Sequence, residues 1–273
     1  MNILEKIVAH KREEVASRKE LYPVPLLERS IFFKSPTVSL RQYLLRSDKQ
    51  GLIAEFKRKS PSKGHINRFA KVQDVSLGYM QAGASALSVL TDEHYFGGGS
   101  KDLEEARKFN YCPILRKDFV IDEYQIIEAR SIGADAILLI AEVLSKEEVA
   151  ILAGVAAGLG LEVLMEVHSE AQLDKVCDAV TAVGVNNRNL ETFQVDLDTS
   201  RRLASLIPGD KVKVSESGIH SAADAADLRT YGYNGFLIGE QFMKTSDPKA
   251  ACVKFLRELA ELEAGRTAEE VRS

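Results

Sequence analysis

Three stretches of the sequence decide the fold: LIAEFKRKSPSKG at residues 52–64, CPILRKDF at 112–119 and LEVLMEVH at 161–168. Each contains an apolar run of strand length that ends in charged residues. Successive side chains of a strand alternate between its two faces. Because of this alternation, Glu55 shares a face with Lys57, Leu115 with Lys117, and Leu164 with Glu166. Because a lone buried charge is costly, charges at the same end of successive strands indicate a polar site where those strands converge.

Similar apolar runs recur along the chain from about residue 50. They predict eight strands, at Leu52–Phe56, Ala86–Leu90, Pro113–Lys117, Ala136–Ile140, Val163–Val167, Ala182–Asn186, Val212–Glu216 and Gly235–Gly239. The intervals between them leave room for one helix and two short loops each. Most of the runs are too uniformly apolar for a sheet with one wet face, and they fit parallel strands covered on both faces. Eight such units favour a closed (βα)8 TIM barrel over residues 49–264, because open doubly wound sheets usually have fewer strands.

The two ends of the chain fall outside this alternation. Asn2–Lys19 has the spacing of an amphipathic helix, and prolines then break the chain. We interpret residues 1–48 as an N-terminal helical extension packed on the barrel as a lid, with Phe32 and Phe33 as its anchors. Residues 265–273 form a charged C-terminal tail that we expect to fray.

Composition limits the possible functions. With 273 residues, 45% of them apolar and 28% charged, the chain is typical of a soluble globular enzyme. A net charge of −4 argues against a nucleic-acid partner. The three cysteines are widely spaced and no Cys/His cluster has metal-ligand spacing, so we expect buried thiols and no metal. Neither a signal peptide nor a membrane-span-length run occurs, which predicts a cytoplasmic protein without a membrane partner.

Charged and amide side chains gather where the predicted strands end. In a parallel barrel the carboxyl ends of the strands form the active-site face. The residues placed there are Glu55, Lys57, Lys117, Glu166, Asn186, Arg188 and Glu216. Such a balanced set can stay charged in a half-buried site while individual pKa values shift. The alternative is a salt-bridge network that only plugs the barrel mouth, although a plug seldom draws charges from so many strands.

Two glycine-containing turns predict a phosphate site. Gly218 follows the seventh strand, and Gly239 with Glu240 follows the eighth, where a short helix would begin. Barrels often bind phosphate in these two loops, and helix N-termini favour anions. Either glycine alone could be an ordinary turn.

The loops after the first two strands could close over a ligand. Phe96 precedes a glycine triplet, so it could cover an apolar substrate group or simply pack against the lid. Ser60 lies in a polar turn that could order over an anion. His94 and His168 flank the site without the spacing of a catalytic triad, and we expect both to be peripheral.

Several motifs occur along the chain in the same order as in a known enzyme family. The motifs are EFKRKSPSKG, SVLTDEHYFGG, ILRKDF, LMEVH, GVNNRNL, VSESGI and FLIGE. Together they closely resemble the indole-3-glycerol phosphate synthases from about residue 50 to 244, and the helical extension of that family matches residues 1–48. The resemblance implies a carboxy-lyase of tryptophan biosynthesis. It would convert the phosphorylated 1-(2-carboxyphenylamino)-1-deoxy-D-ribulose 5-phosphate into indole-3-glycerol phosphate, CO₂ and water, without a cofactor.

The same resemblance implies residue roles. Lys117 is similar to the general acid of ring closure, Glu166 to the base of dehydration, and Lys57 to the lysine that pairs with the substrate carboxylate. Further matches are Glu55 and Glu216 as holders of the lysines, Asn186 and Arg188 as substrate ligands, Phe96 and Leu190 as the apolar slot, Ser60 beside the substrate, and Ser217, Gly218, Gly239 and Glu240 around the phosphate.

Two other readings remain open. An aldose–ketose isomerase barrel would need a paired Asp/Cys or two Asp residues, and no strand end supplies them. A non-catalytic ligand-binding barrel would bind a phosphorylated ligand without turnover. For the enzyme we expect a monomer or a weak homodimer.

Overall fold

Eight parallel strands close into a barrel in the computed structural model, which describes residues 2–190 and 192–270. The barrel strands are β1 (Leu52–Phe56), β2 (Ala86–Leu90), β3 (Ile114–Lys117), β4 (Ala136–Ile140), β5 (Glu162–Val167), β6 (Ala182–Asn186), β7 (Val212–Glu216) and β8 (Gly235–Ile238). Each strand pairs with its neighbours in sequence, and β8 pairs with β1. The predicted (βα)8 barrel is therefore confirmed.

Three strand boundaries differ from the prediction by one residue. β3 begins after Pro113, whose nitrogen has no hydrogen to donate to a ladder. β5 begins one residue earlier, because Glu162 pairs with Ala136 of β4. β8 ends before Gly239, where the backbone leaves the extended conformation and turns into a helix.

Helices surround the barrel and precede it. They are α1 (Ile3–Leu21), α2 (Val24–Leu27), α3 (Leu40–Leu44), α4 (Val72–Ala82), α5 (Glu93–Phe96), α6 (Ser100–Phe109), α7 (Glu123–Ser131), α8 (Lys146–Gly158), α9 (Asp198–Leu203), α10 (Ala222–Thr230), α11 (Glu240–Met243) and α12 (Pro248–Glu270). Their starts follow local chemistry: Ser145 and Glu148 form a reciprocal capping box before α8. No helix among the described residues is both long and apolar enough to cross a membrane.

Alternation along each strand separates an inner from an outer apolar layer. Inside the barrel, Ile53, Leu115 and Leu164 belong to one buried cluster, whereas Ile114 and Val163 pack outward against the helices. The inner parity continues toward the carboxyl ends of the strands, where it reaches charged residues instead of apolar ones. The same alternation that fills the barrel thus aims the charges into its mouth.

The amino-terminal end of the barrel is closed by α3. Leu40 and Leu44 are buried and join the inner apolar cluster. Leu44 reaches Gly235 at the start of β8, where an added Cβ atom would lie 3.4 Å from Leu44 Cδ1 and 2.9 Å from Val214 Cγ2. This short helix therefore acts as the floor of the barrel.

The rest of the N-terminal extension runs from one end of the barrel to the other. Helix α1 lies at the carboxyl end, and the segment between α2 and α3 descends beside α7, where Ser30 Oγ donates to the Ser131 carbonyl. Farther down, the Val38 N–H donates to Asp135 Oδ1 at 2.8 Å. The extension thus contacts both ends of the barrel.

Two predictions about the chain ends need correction. The buried apolar residues of the extension are Ile7, Val15, Leu40 and Leu44, whereas Phe32 and Phe33 are only half-buried, so the two phenylalanines are not its main anchors. At the other end, α12 continues across the predicted boundary at residue 264 to Glu270. Residues 271–273 of the predicted tail lie outside the described residues.

Candidate active site

A pocket of about 200 Å³ opens at the carboxyl end of the barrel. It brings together all of the residues that the sequence placed in a site: Glu55, Lys57, Ser60, Phe96, Lys117, Glu166, Asn186, Arg188, Leu190, Glu216, Ser217, Gly218, Gly239 and Glu240. They come from strands β1, β3, β5, β6 and β7 and from the loops after β1, β2, β6, β7 and β8, so the pocket exists only when the barrel is closed.

Lys117 lies at the centre of the charged residues. Its Nζ atom is 3.1 Å from Glu166 Oε2 and 3.1 Å from Glu216 Oε2, which project from β5 and β7. The other oxygen of Glu166 accepts a hydrogen bond of 3.0 Å from Asn186 Nδ2. Both carboxylates and the ammonium group are almost completely buried, so this group is a desolvated ion cluster, not a surface salt bridge.

The charges in this cluster shift one another's pKa values. Burial alone would lower the pKa of Lys117, but the carboxylates of Glu216, Glu166 and Glu55 raise it above its ordinary value. Burial opposes ionisation of Glu166, yet Lys117 and His168 hold its pKa below the usual range. Burial raises the pKa of Glu216 to about 7, with Lys117 opposing and Glu166 adding to the shift. Lys117 is therefore a protonated donor beside one ionised carboxylate and one carboxyl that titrates near neutrality.

A glycine makes room for this cluster. Gly184 lies on the inner face of β6, and a Cβ atom there would lie 2.1 Å from Glu216 Oε1. Any side chain at this position would displace the carboxylate from its place beside Lys117. This role was not predicted from the sequence, although Gly184 shares the inward parity of Asn186.

A second ion pair occupies the β1 side of the pocket. Lys57 Nζ lies 2.7 Å from Glu55 Oε1. A Cβ atom on Gly239 would lie 2.6 Å from the same oxygen, so Gly239 also clears space for Glu55. From the sequence, Gly239 was predicted only to bind phosphate.

The turn after β7 has an unusual backbone. Ser217 has a φ of 65° and Gly218 a φ of 77°, both in the left-handed region. A residue with a side chain in this region is uncommon and costs about 1–3 kcal/mol, a strain that is concentrated at functional sites. Gly239 and Glu240 open helix α11 nearby, and the first N–H groups of a helix have no partner within it. This side of the pocket presents backbone donors to a ligand.

The carboxylate of Glu240 faces two cations. Its oxygens lie 3.7 Å from Arg188 Nη2 and 3.8 Å from Lys63 Nζ. Lys63 belongs to the turn after β1 and was not among the residues predicted for the site. The predicted phosphate-binding residue Glu240 thus has its own charge compensated, while its backbone remains part of the helix start.

An apolar wall faces the charged cluster. Phe96 lines the pocket, with its ring centroid 6.0 Å from that of Phe119. Phe119 was not predicted, although it shares the parity of Lys117 two residues earlier. Helix α1 adds Ile3, Leu4 and Ile7. The sequence indicated that α1 is amphipathic but not that its apolar face would line this pocket.

The two histidines differ in position. His94 stacks against His10 with ring centroids 4.7 Å apart and is not among the pocket residues. His168 is not among the pocket residues either, but its Nε2 atom lies 3.5 Å from Glu166 Oε1, so it flanks the pocket beside one of the carboxylates. Among the described residues no cluster of three or more His, Cys, Asp or Glu side chains could hold a metal ion.

Sequence comparison identifies relatives across almost the entire chain. The family model described as indole-3-glycerol phosphate synthase matches residues 4–255. A protein of Bacteroides thetaiotaomicron with that name is 48% identical over 256 residues, covering 94% of this chain and 98% of its own. Another, from Dechloromonas aromatica, is 44% identical over 253 residues, with coverages of 91% and 97%.

Solved structures with the same fold are more distant in sequence. A thiamine phosphate pyrophosphorylase from Pyrococcus furiosus has a TM-score of 0.60 at 15% identity and covers 82% of this chain and 99% of its own. A chain of the tryptophan synthase complex from the same organism has a TM-score of 0.56 at 16% identity, with coverages of 78% and 99%. At such low identity these structures support the barrel fold alone. The family match and the two close relatives show that the chain belongs to the indole-3-glycerol phosphate synthase family.

Proposed function

We propose that this protein converts 1-(2-carboxyphenylamino)-1-deoxy-D-ribulose 5-phosphate into indole-3-glycerol phosphate, CO₂ and water. The observation that carries the proposal is the buried Lys117 ammonium group, held by Glu166 and Glu216 between an apolar wall and a turn rich in backbone donors. Family membership supports the same reaction, and each part of the pocket fits one part of this substrate.

Ring closure needs an acid at the substrate carbonyl. Lys117 is protonated, because its carboxylate neighbours raise its pKa, and it donates its proton to the C2 oxygen. The aromatic carbon that bears the carboxylate attacks C2, and the carbonyl becomes a hydroxyl group. The carboxylate then leaves as CO₂, and the electrons of the broken bond restore the aromatic ring.

Dehydration needs a second acid and a base. Lys57 protonates the departing hydroxyl, while Glu166 removes a proton from the carbon next to the nitrogen, and the new double bond completes the indole. Glu166 suits this role because Lys117 and His168 lower its pKa and keep it ionised. Glu55 orients Lys57 through their contact of 2.7 Å. Asn186 orients Glu166 through its hydrogen bond.

Substrate positioning uses both ends of the molecule. The turns at Ser217–Gly218 and Gly239–Glu240 bind the phosphate, and Lys57 binds the carboxylate, with Arg188 as a further ligand. Phe96 and Leu190 contact the aromatic ring, together with Ser60 at the pocket edge. Holding both ends folds the flexible ribulose chain onto the ring, and such orientation can supply several kcal/mol of the barrier reduction.

We further propose a cytoplasmic location, a monomer or weak homodimer, and turnover without a metal or organic cofactor. The substrate carries its own electron sink, so the reaction needs acids and bases only. The cysteines support a reducing compartment, since Cys112, Cys177 and Cys252 are free thiols.

Turnover of the carboxyphenylamino substrate by the purified protein tests the proposal, with indole fluorescence as the measurement. Lys117→Met and Glu166→Gln should each reduce kcat by at least about 10²-fold, the lower range for a positioned acid or base. Near-normal turnover in both variants would refute the assignments. A wild type that binds the substrate without product formation would support the non-catalytic binding protein instead.

A further inference from the structure

Helix α1 carries a buried lysine with three carboxylate partners. Lys11 Nζ lies 2.8 Å from Glu14 Oε2, 2.8 Å from Asp92 Oδ2 and 3.0 Å from Asp118 Oδ1. The contact with Glu14 is a hydrogen bond, and the contacts with Asp92 and Asp118 are close ion pairs. The side chains of Lys11, Asp92 and Asp118 are all inaccessible to solvent. The interaction is therefore well ordered and not screened by water.

Asp118 connects this lysine to the general acid. It follows Lys117 directly, and its Oδ1 atom also accepts the N–H of Phe119 at 2.8 Å. Its Oδ2 atom accepts hydrogen bonds from the side chains of Thr91 at 2.6 Å and Arg116 at 3.0 Å. The backbone on both sides of Asp118 carries pocket residues, so its orientation affects Lys117 and Phe119 together.

Asp92 connects the lysine to the apolar wall of the pocket. Its Oδ1 atom caps helix α5 by accepting the N–H of Tyr95 at 2.7 Å. The last residue of this helix is Phe96, which lines the pocket. The Lys11 ammonium group therefore joins the loop after β2 to the loop after β3.

Helix α1 also lines the pocket itself. Ile7 lies one turn before Lys11 and contributes to the apolar wall. Two turns after Lys11, Arg18 contacts Glu128, which accepts a hydrogen bond of 2.6 Å from Arg116. Arg116 in turn binds Asp118. The charge network fastens α1 to β3 at two points, seven residues apart on one face of the helix.

We propose that Lys11 is a positioning residue for the reaction. By holding Asp92 and Asp118, it sets the distance between the general acid Lys117 and the part of the apolar wall formed by Phe96 and Phe119. The proposal rests on the proposed function, because it concerns the same pocket. A displacement of about 1 Å between reacting groups can reduce a rate about 10²-fold, so a residue that never touches the substrate can control turnover.

The test uses a variant in which charge is balanced. Lys11→Met alone would leave two buried carboxylates with too few counter-charges, and the variant could fail to fold. Lys11→Met combined with Asp92→Asn removes one charge of each sign. The amide at position 92 can still cap α5, and Asp118 keeps Arg116 as its partner. We expect this double variant to fold and its kcat to fall at least about tenfold, with a much smaller change in KM.

Val15→Ala provides a matched control. Val15 is buried on the same helix, one turn after Lys11, and is not among the pocket residues. This substitution should lower the melting temperature and leave kcat unchanged. A double variant that is folded and has wild-type kcat would overturn the proposal, and an equal loss of kcat in Val15→Ala would show that helix docking alone is responsible. A wild type without activity would instead refute the proposed function.

A second measurement needs no variant. Amide hydrogen exchange is recorded on the wild type with and without indole-3-glycerol phosphate. We expect exchange in residues 7–18 to slow together with that in 91–97 and 117–119, because Lys11 couples these segments. Slower exchange in the two loops with no change in α1 would contradict the proposal, whether or not the double variant folds.

Discussion

At the scale of single residues, the pocket depends on glycines, which have no side chain, as much as on charged residues. Glu216 and Glu55 each lie where a Cβ atom on a neighbouring backbone segment would collide with them. Glycine occupies both positions, at 184 on β6 and at 239 just after β8. Ion pairs alone would not fix these carboxylates, because a buried carboxylate can also become neutral by taking up a proton. The glycines give each carboxylate a site beside its lysine.

Gly184→Ala tests this role. The added Cβ atom would lie 2.1 Å from Glu216 Oε1, so the carboxylate must move away from Lys117. We expect kcat to fall at least about tenfold, within the range for a disturbed acid–base group. Steady-state kinetics and circular dichroism are the measurements.

Gly154→Ala is its control. An added Cβ atom at this position in α8 meets nothing within 4 Å, so the variant should keep wild-type kcat and gain about 0.5–1 kcal/mol of stability. If Gly184→Ala behaved like the control, the packing argument would be wrong.

The charged residues of the pocket could be predicted from the sequence, and the glycine roles could not. Alternation along a strand is a local rule, so it assigns Lys117 and Glu166 to the barrel interior without any knowledge of the neighbouring strands. The role of Gly184 depends on which rotamer Glu216 adopts on the next strand. Lys11 is an intermediate case: the spacing of Ile7, Lys11 and Val15 puts a lysine in the middle of an apolar stripe, which is a signal of a buried ion pair.

At the scale of elements, a very short helix closes one end of the barrel. Helix α3 has five residues, too few to be stable alone, yet it supplies the apolar floor. The sequence did not reveal this position, because an isolated amphipathic segment does not specify which end of a barrel it covers. The strands were predicted nearly to the residue, since each is a separate apolar run bounded by polar ones.

Leu40→Ala should separate stability from catalysis. Leu40 is completely buried at the end of the barrel far from Lys117, so the change should reduce the free energy of unfolding by about 2–5 kcal/mol. Turnover by the folded protein should remain at the wild-type level. Denaturant unfolding and kinetics at low temperature check both values.

Leu45→Ala, at the adjacent exposed position, is the control for the floor. With 47% of its surface accessible, Leu45 should contribute no more than about 0.5 kcal/mol. Equal losses in the two variants would contradict the assignment of α3 as the floor.

At the scale of the whole molecule, the buried charges predict how stability depends on pH. Burial opposes ionisation of Asp118, but Lys11 and Arg116 hold its pKa well below its usual range, and Lys117 does the same for Glu166. These carboxylates stabilise the fold above their ordinary pKa values of 3.8 and 4.5, and that stability is lost as the pH falls through their folded values. Glu216 acts in the opposite direction. Its folded pKa is raised, so stability falls as the pH rises from 4.5 to about 7.

As far as these three groups determine it, the unfolding free energy of the wild type should therefore be highest near pH 5. Glu216→Gln removes the upper limb, because an amide cannot ionise. We expect the variant to gain about 1–3 kcal/mol relative to the wild type at pH 8, and much less at pH 5. Denaturant unfolding at both pH values measures the two differences. The same difference at pH 5 and pH 8 would show that Glu216 titrates normally.

The floor of the barrel also has a consequence for synthesis on the ribosome. Leu44 rests against Gly235, which is added to the chain roughly 190 residues later, or about 10–40 s at ordinary elongation rates. During that interval the two leucines of α3 have no finished partner surface. A nascent chain arrested before the last strand would expose them to chaperones. Helix α3 can therefore pack against the finished barrel only after β8 has emerged from the exit tunnel.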